Sequence, residues 1–184
     1  MATSETAIMN RGLNLIGQPA ILAPSEDSKL AKTCNRIWPA IRDEVLRAFP
    51  WRCVTKRANL TRLEAVPAFG FNYYFQLPTD YLRMVGMSEA DAIYETEGDR
   101  LLYDDDTAYI KYIYCETDAN KYDSLLCTCL AIRLAAELAN PIAGSQALAD
   151  KMMQWYLAFV GLGGSIDSTE AKKQSEDVSW VDER

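Results

Sequence analysis

The stretch from Lys121 to Gly164 constrains the fold more than any other part of the chain. Its first half places apolar residues at Tyr122, Leu125, Cys129, Ile132 and Ala136, with a second row at Leu126 and Leu130. Steps of three and four residues are helical, and the apolar side chains cover most of the circumference. Asn140-Pro141 is expected to stop this helix, because proline lacks the N–H and disfavours helix in the residue before it. Ser145 is placed to cap a second helix carrying Leu148, Met152, Trp155, Tyr156 and Phe159, expected to run out at Gly161-Leu162-Gly163-Gly164. So short a connection makes the two helices antiparallel neighbours, and the rest of the chain packs on this hairpin or hangs from it.

Two helices are expected before it. Residues 4 to 16 form the first, with Ala7-Ile8, Arg11-Gly12 and Leu15-Ile16 in helical step and the turn Gly17-Gln18-Pro19 closing it. Pro24-Ser25-Glu26-Asp27 starts the second, with a capping serine and two acids in its first turn. This helix carries Leu30, Cys34, Ile37, Ile41, Val45 and Phe49 on one face and ends at Pro50. The row keeps its phase across Pro39, so a kink is expected there in preference to a break.

From Trp51 the period changes. Val54, Phe69-Gly70-Phe71, Tyr73-Tyr74-Phe75, Leu82, Met84-Val85, Ile93-Tyr94 and Leu101-Leu102-Tyr103 sit in short runs between turn residues, and Thr107 to Cys115 alternates. These predict strands of a small antiparallel sheet, with hairpin turns near Glu97-Gly98-Asp99 and Asp104-Asp105-Asp106. The fold class is therefore α+β: a helical bundle, made of N-terminal helices and a C-terminal helical hairpin, with a small antiparallel β-sheet inserted. At 184 residues the chain suits one such domain. Residues 1–50 and 118–164 form the helical part and 51–117 the insert. Residues 165–184 form a polar tail in which only Val178, Trp180 and Val181 are apolar enough to dock on a neighbour.

Composition removes several functions. The chain has no histidine, hence neither the commonest general base nor the commonest metal ligand. Its net charge of −7 argues against a general nucleic-acid binder. The five cysteines, at 34, 53, 115, 127 and 129, form no CxxC pair and fall in apolar rows, which predicts free buried thiols in a reducing cytoplasm. The N-terminus lacks a basic region followed by an apolar run, so no signal peptide is expected. Ser124 to Ile142 is apolar enough to suggest a membrane span, but Arg133 and Glu137 near its middle argue against one.

Charge is segregated along the chain. Residues 47 to 62 contain Arg47, Arg52, Lys56, Arg57 and Arg62 with no acid among them. Residues 89 to 106 hold Glu89, Asp91, Glu95, Glu97, Asp99, Asp104, Asp105 and Asp106 against Arg100 alone, a net −7 equal to that of the whole chain. Two solvated loop faces would explain this. So would head-to-tail association, in which the basic edge of one copy meets the acidic edge of the next. So would an acidic wall past which DNA slides without sticking.

No catalytic or metal constellation emerges. Asp104-Asp105-Asp106 lacks the glycine and distal glutamate of a calcium loop, and no glycine-containing stretch matches a phosphate-binding or dinucleotide fingerprint. Cysteine catalysis lacks a histidine base. Trp51, Phe69 and Phe71, beside the basic run, are of a type that stacks on bases, though core packing explains them more simply.

Four pieces in order resemble the tail tubular protein A family, the head–tail adaptors of short-tailed bacteriophages. The first is Leu13-Asn14-Leu15-Ile16-Gly17-Gln18-Pro19, a short helix closing on an Ile-Gly turn. The second is the charged helix from Ser28 that ends in Phe49-Pro50-Trp51. The third is the segment Tyr74 to Met84 with its Leu77-Pro78-Thr79-Asp80-Tyr81-Leu82 core, leading into a strand. The fourth is Leu130 to Ile142, followed by the Trp155-Tyr156 helix. The glycines at 161, 163 and 164 depart from the longer helix that the likeness suggests.

The resemblance implies a non-enzymatic structural protein of the virion, at the portal vertex of the tail, made in the cytoplasm of a host bacterium. It implies a homo-oligomeric ring of about twelve copies matching the portal's symmetry. The portal protein would lie above and a tail nozzle protein below, with double-stranded DNA passing through without sequence-specific binding. No cofactor and no membrane are implied. Interface candidates are then Arg47, Arg52, Lys56, Arg57 and Arg62 on one edge, with Glu95, Glu97, Asp99, Asp104, Asp105 and Asp106 on the other. Val178, Trp180 and Val181 are the portal-docking candidates. The alternative is a small-molecule-binding or regulatory module, with Tyr73, Tyr81, Tyr94 and Tyr103 lining a pocket beside the hairpin.

Overall fold

The computed structural model describes residues 4–170, with side chains to residue 161, and has an α+β architecture. Helices α1 (Glu5–Leu15) and α2 (Lys29–Ala48) precede six strands, and α3 (Ser124–Ala143) and α4 (Gln146–Glu170) follow them. The strands are β1 (Thr55–Arg62), β2 (Tyr73–Gln76), β3 (Tyr81–Met87), β4 (Glu95–Glu97), β5 (Arg100–Tyr103) and β6 (Ala108–Tyr114).

The central helix is α3, in contact with α1, α2 and α4. Leu126, Leu130, Leu134 and Leu138 are fully buried along it. Its length and composition would allow it to cross a membrane, yet most of it is enclosed by the other elements. Arg133, the charge near its middle, is no anomaly. Its Nε and Nη2 donate to the two carboxylate oxygens of Glu44 on α2, at 2.9 and 3.0 Å, and its Nη1 donates to Glu137 at 2.9 Å.

Pro141 does not stop α3, contrary to expectation; it sits in the last turn and the helix runs to Ala143. Termination comes from Gly144, whose left-handed backbone (φ 66°) turns its N–H back to the carbonyls of Ala139 and Asn140. A residue with a side chain would be strained there. Ser145 then caps α4 as expected, its hydroxyl accepting from the Leu148 N–H at 3.2 Å.

The expected end of α4 at Gly161 to Gly164 is overturned: the helix continues to Glu170. Glycine lowers helix propensity by about 1 kcal/mol per residue but keeps its N–H, and extending an existing helix requires no new nucleus.

At the other end, Ser4 caps α1 by accepting from Ala7 N–H at 3.1 Å, and Asn10 holds the returning chain through two bonds to the backbone of Ile21. The cap of α2 is Ser28 in place of the expected Ser25, its hydroxyl accepting from Ala31 N–H at 3.2 Å. Glu26 is already committed to a turn upstream, where its carboxylate accepts from Leu22 N–H at 2.7 Å. Pro39 stands on the exposed face of α2, which continues through it while Cys34, Trp38, Ile41 and Val45 face the core.

The sheet order is β3-β6-β1-β2-β5-β4, with every pair antiparallel. Strand β1 serves two partners. Thr55 to Leu60 pair with β6, and only Thr61 and Arg62 pair with β2, so the sheet curls into two wings joined through β1. The turn at Glu97-Gly98-Asp99 is a hairpin as expected, but Asp104-Asp105-Asp106 is not. Strands β5 and β6 lie on different wings, so this acidic turn carries the chain across from one wing to the other.

Phe69-Gly70-Phe71 also departs from expectation: it belongs to the 63–72 connection between β1 and β2. Gly70 has φ 89°, outside strand geometry, and Asn72 is tied to the Asp104 side chain and carbonyl. Ile93-Tyr94 likewise lies in the β3–β4 loop.

Sheet and helices share one core. It runs continuously from Ile8 and Leu13 through Trp38 and Leu130 to Phe75, Leu101 and Ile113. Arg83 on β3 donates to the carbonyls of Arg47 and Ala48 at the end of α2, and Arg47 donates back to the Leu82 carbonyl. The turn from β6 into α3 is centred on the buried carboxylate of Glu116. It accepts from Tyr114 Oη at 2.7 Å, from the N–H groups of Thr117 and Asp118 at 2.9 Å each, and from Lys121 Nζ. All five cysteines are free; Cys34, Cys127 and Cys129 are buried, and Cys53 and Cys115 are half-buried.

Candidate subunit interface

The fold divides the basic run of residues 47 to 62 into side chains with internal tasks and one that has none among the described residues. Arg47 clamps α2 to β3, as above. Lys56 donates to Asp80 at 2.7 Å and lies 3.7 Å from the centre of the Tyr114 ring. Arg62 rests over Tyr73 at 4.9 Å. Arg52 is exposed in the short turn before β1. Arg57, by contrast, is an exposed residue in mid-strand, and no carboxylate among the described residues pairs with it.

Its register partner across the β1–β6 ladder is Lys111, and the next pair on the same face is Asn59 with Tyr109. Two cations therefore stand directly opposite one another, an arrangement that is destabilising in a sheet without a counter-charge. Lys111 also lacks an acidic partner among the described residues. This pair lines a cavity of about 480 Å3 together with Asn59, Tyr109, Met87 and Ser88. Tyr109 is half exposed beside it. Sequence reading missed Lys111, because a single lysine in the alternating run from Thr107 to Cys115 carries no signal until the register is known.

The acidic run is divided in the same way. Asp104 accepts from the Asn72 N–H at 3.0 Å, and Asp99 takes Gln76 at 3.2 Å and approaches Arg100 at 3.8 Å. Glu89 accepts from the Tyr103 hydroxyl at 3.0 Å, and the negative charge of Asp105 and Glu89 near it pushes that phenol well above its ordinary range. Glu95 and Glu97 are exposed on β4, the edge strand, and Asp106 is exposed before β6; no ion pair ties any of the three to a described cation. The loop leading into β4 exposes Ile93 (77 %) next to Tyr94.

The remaining candidates separate. Trp51 is buried, with its indole N–H donating to the Val45 carbonyl at 2.8 Å, and Phe71 is half-buried. Phe69 is 87 % exposed and Val66 68 %, both on the 63–72 connection. The four tyrosines of the expected aromatic pocket are distributed over both wings. Tyr73 and Tyr103 are partners on β2 and β5, while Tyr81 on β3 stacks on Tyr112 at 5.9 Å and Tyr94 lies in a loop. Val178, Trp180 and Val181 lie outside the described residues.

Titration of the perturbed groups follows burial and local bonding. Desolvation raises every shifted thiol, Cys53 to about 12 and Cys129 to about 11, away from the reactive thiolate. Burial and the hydrogen bond to Asp80 carry Tyr112 up to about 12. Burial alone would also raise Glu116, but the Lys121 ammonium, the Asp118 N–H and the Tyr114 hydroxyl outweigh it and hold the carboxyl down to about 2. Among the described residues no group of three or more acids and cysteines converges as a metal site.

Compared with known protein families and with curated proteins, the chain matches none.

Proposed function

We propose that this chain is a structural head–tail adaptor of a short-tailed phage: a ring between portal and nozzle that gives DNA a passage. The observation that carries the reading is the segregation of charge that is left unpaired among the described residues. Arg57 and Lys111 share one face of the β1–β6 wing, while Glu95 and Glu97 stand on the opposite edge strand of the sheet. A heterologous contact between such surfaces propagates from copy to copy, and it closes into a ring when the rotation per copy divides a full turn. The order of sequence motifs supports the same reading.

Three further features agree with it. On α4, Trp155 and Leu157 are exposed while Met152 and Tyr156 are buried, so apolar surface remains for neighbours. The shifted thiols are in their inert form. An excess of negative charge suits a channel that DNA crosses without phosphate-driven sticking.

The test is to mix the purified protein with the portal of the same phage and view the product by electron microscopy. A ring stacked on the portal ring is expected. If the two never associate at any ratio, the adaptor reading is wrong; a monomer in isolation would not decide it, since the portal can template closure.

A further inference from the structure

We infer that the Arg57–Lys111 cavity is the seat for the β3–β4 loop of a second copy of this chain, with Ile93 and Tyr94 entering it and Glu95 and Glu97 meeting the two cations. This deepens the head-to-tail contact on which the proposed ring rests. Two halves of one contact are present on the same molecule. The seat has a pair of like charges in register, Arg57 opposite Lys111, with Met87 and Tyr109 beside them as apolar surface. Like charges held opposite each other favour an anionic partner, which turns their repulsion into attraction.

The occupant has the matching order of chemistry. Ile93, 77 % exposed, and Tyr94 are apolar anchors at the end of the loop, and Glu95 and Glu97 follow at once on an edge strand where both side chains are exposed. An aromatic and an aliphatic anchor flanked by charges is the composition of an interface centre with a polar rim. A phosphate would satisfy the cations but leave Ile93 and the apolar side of the seat unexplained. The acidic loop accounts for both. Charged edge residues also keep β4 from pairing with strands at random, so this edge is directed towards one partner.

A synthetic peptide of residues 89–97, titrated into the full-length 15N-labelled protein at low salt, tests the contact. Saturable chemical-shift changes are expected at the amides of Arg57, Tyr109 and Lys111. Affinity should fall about tenfold or more when Glu95 and Glu97 of the peptide are replaced by lysine, and should weaken on raising salt. Reversing the peptide leaves the protein's own fold untouched; R57E/K111E in the protein is the reciprocal arm and should be rescued by the lysine peptide. Absence of saturable shifts at millimolar peptide, or equal binding of both peptides, overturns the inference. Portal-bound rings forming without peptide binding would overturn this contact alone. Peptide binding without portal association would support the contact while removing the adaptor reading.

Discussion

Replacing Glu116 by glutamine isolates the anchor that joins the sheet to the central helix. In the folded protein one carboxylate oxygen accepts from the Thr117 and Asp118 N–H groups, and the other from Tyr114 Oη and Lys121 Nζ. Glutamine keeps one carbonyl oxygen for the two backbone donors but presents an NH2 to the other pair. The Tyr114 hydroxyl can turn and accept; the ammonium cannot. A hydrogen bond to a charged group is worth about 1.5–3 kcal/mol where it is buried, and Lys121 is half exposed, which lowers its share. A net loss of about 2 kcal/mol at neutral pH is expected, near 4–8 °C in melting temperature for a domain of this size.

The pH dependence has a definite sign. Glu116 is depressed from 4.5 to about 2 on folding, so its contribution is complete above pH 4.5 and lost as pH falls towards 2. Urea unfolding of the wild type and E116Q at pH 7, 5, 4 and 3 should therefore show a gap that narrows below pH 4.5. A gap that stays constant over that range, or one under about 0.5 kcal/mol at pH 7, would refute the assignment of the anchor to the ionised carboxylate.

Two further substitutions probe the helical core. Gly12→Ala raises the helix propensity of α1 by about 1 kcal/mol. Its new Cβ, however, would stand 2.9 Å from the Ala131 carbonyl oxygen of α3, a backbone atom that cannot rotate away. Overpacking of this kind costs about 1–3 kcal/mol, so destabilisation is expected by urea unfolding; a more stable variant would show that α1 and α3 can separate freely. Trp51→Phe and Trp38→Phe remove the same indole group from two buried sites. The Trp51 N–H donates to Val45, whereas the Trp38 N–H has no partner among the described residues. Trp51→Phe should therefore cost about 1 kcal/mol more than Trp38→Phe in calorimetric unfolding, and the reverse order would contradict the hydrogen-bond assignment.

The helices were legible in the sequence because apolar spacing and capping chemistry are local. The Ser145 cap and the apolar rows through Cys129, Ile132 and Ala136 and through Leu126 and Leu130 all read correctly. The misreadings came where a local signal was outvoted. Ser25 and Ser28 are both acceptable caps, and only the engagement of Glu26 with Leu22 selects the second. Gly161 to Gly164 weakens a helix without forbidding it. Asp104-Asp105-Asp106 has hairpin composition, but whether β5 pairs with β6 depends on where β1 and β2 sit. The same applies to the interface. Arg57 was visible as a member of a basic run, while its likeness in kind to Arg47 and Lys56 ended once those two were seen bonded within the subunit. Lys111 became its companion only through the register.

The path of β1 has a consequence for synthesis. Most of its length is hydrogen-bonded to β6, which follows it by some fifty residues, and α1 finds its partner α3 later still. The amino-terminal third of the polypeptide therefore completes its packing only once its distant mates have left the ribosome. Such long-range closure slows folding and leaves early segments exposed during translation. A prematurely terminated product lacks the strand and the helix against which β1 and α1 pack, so the order of elements along the chain itself distinguishes whole molecules from fragments.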